Sequence, residues 1–255
     1  TAFGGAIGKQ DSGIVANYAP ADYASKLGVR NLSGLSGDIQ MQVQSTLTAA
    51  GSALEGAARA EALPAFAAVT LSPVRYAAHV GVTQQMLAQS GDDMAAFIQM
   101  DIRRALDKQF NAAILAEINA NDTDLAYASN NPLDVEAALL GADVDLNDVR
   151  FIAAADAYRT FRALSLDAGS GNLFANDPHS ATSILGFSGV VGSQAATGKA
   201  HFFDKNQMVT GQWGGLNLIV DPYTAAANGV VRIIANEYRD VEVLQAASFQ
   251  SITGA

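Results

Sequence analysis

Hydrophobic positions along this chain change period several times, and each change marks an element. Between Asp38 and Gln44, Ile39, Met41 and Val43 alternate with Gln40, Gln42 and Gln44, the period-two pattern of a strand with one wet face. Strand character returns at Val69 and Leu71. After Pro73 it runs through Val74, Tyr76, Ala78, Val80 and Val82, with Arg75, His79 and Thr83 on the opposite face. Residues 45–68 are mostly Ala, Gly, Ser and Thr, so the two strands flank a long excursion that cannot fill a core. The pattern predicts an extended hairpin that leaves the body of the molecule.

From Ser90 to Asn119 the period becomes helical. The stretch has no Pro, and no Gly after Gly91; Ser90 stands as N-cap with Asp93 three residues on. Such a helix is roughly 40 Å long. Met94, Phe97, Ile98, Ile102, Ala105, Leu106, Phe110 and Ala113 form its apolar stripe, and Asp101, Arg103, Arg104, Asp107, Lys108 and Asn111 lie opposite. Ile114, Leu115 and Ile118 leave that stripe, so a second layer is expected to cover the last turns.

After a turn-rich break at residues 119–131, Asn131-Pro132 opens a short helix through Leu133, Ala137, Leu139 and Leu140. Val149–Ala154 reads as a buried strand and residues 156–164 as a helix, together a second α/β unit. Residues 165–185 are rich in Gly, Asn, Asp and Pro and predict a surface loop. From Gly186 short apolar runs alternate with turns, which predicts several short strands and a final strand over Val241–Ile252. Residues 1–30, rich in Gly and Ala with no sustained period, are expected to form an arm with little core of its own.

Composition narrows the functional classes. The 255 residues, 49% hydrophobic and 16% charged, describe a globular chain. Zero cysteines exclude disulfides, thiol catalysis and cysteine-ligated metals, and a net charge of −10 argues against a surface built to grip phosphate backbones. No run approaches the ~18 apolar residues of a membrane span, so no membrane role is expected.

Catalytic motifs fail on inspection. Gly186-Phe187-Ser188-Gly189 starts like a nucleophile elbow, but Val190 stands where the second Gly belongs. Gly4–Lys9 is one residue short of a phosphate loop, and Gln10 replaces its Ser or Thr. His79, His179 and His201 are far apart in sequence, and Asp92 and Asp93 fit helix capping better than paired-acid catalysis. No cofactor or metal is expected, and a hydrolase built from tertiary-assembled acids is the remote alternative.

The order of parts, together with particular segments, resembles a known family. LGVRNLSGLSGDIQMQVQ at residues 27–44, FAAVTLSPVRYAAHVGVTQQML at 66–87, DKQFNAAILAE within the helix, VRFIAAADAYRTFRAL at 149–164, Leu185–Ser193 and the closing AASFQSI are similar to major capsid proteins of tailed bacteriophages, the Hong Kong 97 type fold. The resemblance implies an α+β fold: an N-terminal arm (1–30), an extended loop hairpin (31–80), a peripheral domain with its spine helix (81–120 and 227–255) and an axial α/β domain (121–226). It further implies a non-enzymatic subunit that forms pentamers and hexamers of an icosahedral shell around double-stranded DNA. Portal and decoration proteins are its expected partners, and the virion, assembled in the host bacterial cytoplasm, is its place.

An encapsulin-like nanocompartment shares the fold and is the nearer alternative. In the family a maturation protease often removes an N-terminal scaffolding segment, and Thr1 is expected as the start of the processed chain. Charged residues on segments expected to touch a neighbour are the contact candidates: Glu55, Arg59, Glu61, Arg75, Arg103, Arg104 and Lys108.

One departure yields a prediction. The type member links subunits covalently through a lysine on the extended loop, whereas Lys occurs here only at 9, 26, 108, 199 and 205. Particles boiled in detergent should therefore run as a single monomer band, and a ladder of covalent multimers would refute the expectation.

Overall fold

The computed structural model describes residues 22–48, 52, 63–126, 133–163, 183–184 and 186–253. Thr1, Glu55, Arg59 and Glu61 lie outside the described residues. The first described segment is part of the body, contrary to the expectation of an arm to residue 30. α1 (Tyr23–Leu27) buries Tyr23 and Leu27, one helical turn apart, and ends at Gly28, whose φ of 68° is the left-handed conformation glycine adopts freely. β1 (Arg30–Ser33) then pairs in parallel with Val209–Gln212. Two apolar residues four apart are enough to seat a single turn, a pattern too short to register as a period.

β2 (Ile39–Thr46) and β3 (Ala65–Leu71) pair only with each other, Ile39 opposite Leu71 and Gln44 opposite Phe66, as a two-stranded ribbon. β4 (Val74–Thr83) follows with Tyr76, Ala78, Val80 and Val82 turned inward, as alternation predicts. α2 (Gln84–Asn121) is one helix of 38 residues. It begins six residues before the predicted Ser90, because Thr83 caps it: Oγ1 accepts from Met86 N at 3.2 Å. Ser90 and Gly91 are interior to the helix.

The rest of the chain supplies β5 (Thr123–Ala126), α3 (Leu133–Gly141), β6 (Val149–Ala153), α4 (Ala155–Ala163), β7 (Ser183–Ile184), β8 (Phe187–Val191), β9 (Lys199–Asp204), β10 (Met208–Asp221), β11 (Val230–Val243) and β12 (Phe249–Thr253). α3 buries Val135 and Leu139, while Leu133 and Leu140 are half exposed. The expected run of short strands is corrected too. MVTGQW and GLNLIVD are one strand of 14 residues, bent at an irregularity between Trp213 and Asn217 where Gly214 takes φ 70°. GVVRIIANEY runs on through Val243, so Val241 and Val243 close β11, and a 3-10 turn separates them from β12.

Two sheets result. The first has the order β1-β10-β11-β4, the second β5-β12-β9-β6-β8-β7. These memberships cut across the sequence-based boundaries, since Met208–Asp221 joins the four-stranded sheet with β4, and β12 joins the six-stranded one.

α2 packs on both. Ile98, Ile102 and Leu106 form a core with Val82 and Ala235, whereas Phe110, Ile114, Leu115 and Ile118 enter the core that holds Phe151, Phe202 and Phe249. A third, small cluster of Leu71, Val209 and Trp213 anchors the root of the ribbon, where Trp213 Nε1 donates to Gly37 O at 2.7 Å. Ile102 is about as buried as a residue can be, at 1% exposure. Ile102→Ala should therefore cost about 2–5 kcal/mol in urea unfolding of the free subunit, and a loss under about 1 kcal/mol would place the helix–sheet contact elsewhere.

Candidate assembly surface

The four-stranded sheet and α2 are joined by a polar node as well as by apolar packing. On β11, Ile233, Ala235, Glu237 and Arg239 alternate onto the helix side. Arg239 Nε donates to Glu237 Oε1 at 2.8 Å, its Nη1 reaches Asp107 Oδ1 of α2 at 3.4 Å, and its guanidinium lies 5.0 Å from the centre of the Phe110 ring. Gln212 Nε2 on β10 donates to the same Glu237 oxygen at 3.0 Å. Burial raises the Asp107 carboxyl above its ordinary range, and the Arg239 charge opposes that shift.

Sequence reading placed Asp107 on a solvated face and did not single out Glu237 or Arg239. The signal was present: two opposite charges two apart in an apolar strand must share the face that carries Ala235. Asn111, also assigned to the wet face, is fully buried. Its Oδ1 accepts from Tyr23 N at 3.0 Å, satisfying a donor at the start of α1, and its Nδ2 donates to Gln194 Oε1 at 3.2 Å.

The contact candidates within the described residues do not converge on one point. Arg75, on the side of β4 away from the helix, donates from Nε and Nη2 to Asn236 Oδ1 at 2.9 and 2.7 Å. Arg103 is exposed on α2 and, with Asp22, Asn31, Glu237 and Arg239, lines a polar cleft of about 480 Å³. Arg104 is half-buried and Lys108 exposed, and the backbone carbonyl of Lys108 accepts from Gln194 Nε2 at 2.8 Å. Arg103, Arg104 and Lys108 thus share one helix, and Arg75 sits on a different surface.

A second polar cluster lies inside the six-stranded sheet. His201 Nδ1 is 2.7 Å from Asp122 Oδ2, and Ser251 stands opposite His201 in the β12–β9 ladder. The residue types are those of an acyl-transfer triad, yet His201 and Ser251 have no exposed surface and the two side chains share no hydrogen bond. Burial lowers the His201 pKa against the opposing pull of Asp122, so the ring is neutral at pH 7. The pair ties the end of α2 to the sheet, because Asp122 is the helix C-cap residue. Among the described residues no helix is long and apolar enough to cross a membrane, and no group of three or more His, Asp or Glu gathers as a metal site.

One long helix packed on two sheets, with a free two-stranded ribbon projecting from the first, is the architecture of a capsid subunit of the Hong Kong 97 type. Solved structures agree. The chain is similar to the protein in "Capsid of native GTA particle computed with C5 symmetry", at 17% identity and a TM-score of 0.79 over 96% of this chain and 93% of that one. It is also similar to chains of Gordonia phage Cozz (14% identity, TM-score 0.74, 95% and 89% covered) and Mycobacterium phage Bobi (13%, 0.74, 94% and 94%). A search of curated proteins found no match. The model of the phage capsid family matches residues 24–254, and the chain belongs to that family.

One titrating group bears on the stability of the four-stranded sheet. The Glu242 carboxyl on β11 is pushed up to about 7, first by burial and then by the charges of Glu117 on α2 and of Asp240. Unfolded, it ionises near 4.5. Its contribution to stability is therefore whole below that value and is lost as pH rises from there to about 7. Glu242→Gln cannot ionise, so its melting temperature should gain on that of the native chain across this window, and parallel pH profiles would remove the assignment.

Proposed function

We propose that this chain is the major subunit of the icosahedral head shell of a tailed phage, assembling as pentamers and hexamers around double-stranded DNA. The observation that carries the proposal is the family match over residues 24–254 on a fold shared with phage and GTA-particle capsids. On this reading the four-stranded sheet and α2 make the peripheral domain, the six-stranded sheet with α3 and α4 makes the axial domain, and residues 38–72 are the extended loop. The shell becomes part of the virion after assembly in the host bacterial cytoplasm, and a portal protein takes one vertex.

The chain's role is structural. The buried His201 and Ser251 offer no substrate access, so no observation favours the hydrolase alternative. A charge of −10 per copy suits a wall that must let packaged DNA slide rather than hold it. Arg75, Arg103, Arg104 and Lys108, with Glu55, Arg59 and Glu61 of the loop, are the charged groups we assign to contacts between subunits.

Electron microscopy of the purified protein is the direct test, with shell-like particles expected. Arg103→Gln removes an exposed charge beside the cleft and, unlike Glu, sets no like charge against Asp107. It should leave the melting temperature of the free subunit nearly unchanged while particle yield falls by about tenfold, the scale expected when an interfacial charge is lost from its partner. Normal particle yield would remove Arg103 from the interface, and a monodisperse monomer of the native chain that turns over substrate would overturn the function.

A further inference from the structure

We propose that residues 22–33 form a strap across the second half of α2 that can open while both sheets stay folded, and that the subunit builds particles only with the strap closed. The effect on assembly rests on the shell-subunit reading.

The strap reaches both sheets. α1 packs on β8 of the six-stranded sheet and on α2, and β1 pairs with β10 of the four-stranded sheet. Its catch is Asn111. That side chain, fully buried, accepts from Tyr23 N at 3.0 Å and donates to Gln194 Oε1 at 3.2 Å, while Gln194 Nε2 donates to Lys108 O at 2.8 Å. Strap, helix and the turn after β8 thus meet at one amide. Asparagine is a poor residue for a helix interior, and a buried amide needs partners. The strap supplies one of them.

The rest of the strap is slight. α1 is five residues long, and its N-cap Asp22 makes no side-chain capping bond. β1 is four residues at the edge of its sheet, three of them exposed. The polar cleft of about 480 Å³ lies between Ala24, Ser25, Gly28, Val29 and Asn31 of the strap and the facing parts of α2, β10 and β11. Segments with few buried side chains and much exposed backbone open at lower free energy than the cores they lie on. What holds this one is the burial of Tyr23, Leu27 and Val29.

Tyr23 seats only because residue 192 is glycine. A Cβ built on Gly192 would overlap Tyr23 Oη, whereas the ring carbon Cζ would stay 3.2 Å away. Gly192 is not among the glycines with positive φ, so its main chain accepts alanine. Alanine at 192 therefore opposes the closed strap through one hydroxyl group. An open strap also removes a tie between the two sheets, and a shell of identical copies needs each to hold its contacts in one fixed relation.

Gly192→Ala should open the strap, and Tyr23→Phe, which removes the hydroxyl, should close it again in the double variant. In the free Gly192→Ala subunit, amides of residues 23–33 should exchange with solvent about tenfold faster or more, with those of Ile98–Leu106 unchanged. Particle yield should fall by about tenfold, as the closed form becomes the minor one. The double variant should recover most of both, and Tyr23→Phe alone should behave as the native chain. Unchanged exchange in Gly192→Ala, a loss that Tyr23→Phe does not restore, or equal loss of protection along α2 would overturn the strap. Faster exchange with normal particle yield would overturn the need for closure. A native chain that forms no particles, with Gly192→Ala still speeding exchange, would overturn the shell reading and leave the strap.

Discussion

The structure depends on one unbroken helix serving two cores. α2 gives Ile98, Ile102 and Leu106 to the four-stranded sheet, and Phe110, Ile114, Leu115 and Ile118 to the six-stranded sheet. A helix of 38 residues spans roughly 57 Å, and nothing within it ends the hydrogen-bond ladder between the two cores. The sheets are therefore held at one distance and one rotation by the stiffness of the helix. Arg239, ion-paired to Asp107 and lying over Phe110, sits where the buried stripe passes from one core to the other. A partly buried guanidinium with two acid partners and an aromatic face resists the sliding that apolar packing alone would allow.

Against that rigid frame, the ribbon and the outer half of β10 stand out because they leave large apolar side chains exposed, Phe66 at 62% and Val220 at 63%. Their burial is left for association, and apolar area removed from water contributes about 25 cal/mol per Å². Charge does not drive the process, since copies carrying −10 each repel over roughly a Debye length of 8–10 Å. Attraction must come from backbone hydrogen bonds and apolar contact at close range, with charged pairs setting register and orientation.

How much was legible in sequence follows from how local each signal is. Alternation in β2 and β4 and the apolar stripe of α2 depend only on near neighbours, and the structure agrees with them. The start of α2 was misplaced because Thr83 is both the last residue of β4 and the helix cap, so strand and helix patterns overlap there. β10 and β11 were cut short because Gly214-Gly215 and the charged run NEYRD look like breaks, although cross-strand pairing carries both strands through them. Asn111 read as solvated, because what buries it is supplied by α1 from a distant part of the chain. Arg75, Arg103 and Lys108 could be placed on elements from sequence, but the contacts with a second copy that we propose for them leave no trace in a single chain.

The position of the ribbon bears on the kind of assembly the proposed shell requires. A self-complementary patch would pair two copies about a twofold axis and stop. The ribbon is rooted at one place on the four-stranded sheet, beside Trp213 and Asp240. On the shell-subunit reading, a copy that received it would present its own ribbon onward, the head-to-tail relation from which rings close. The cores that α2 holds need not change for that, because the two strands of the ribbon pair only with each other.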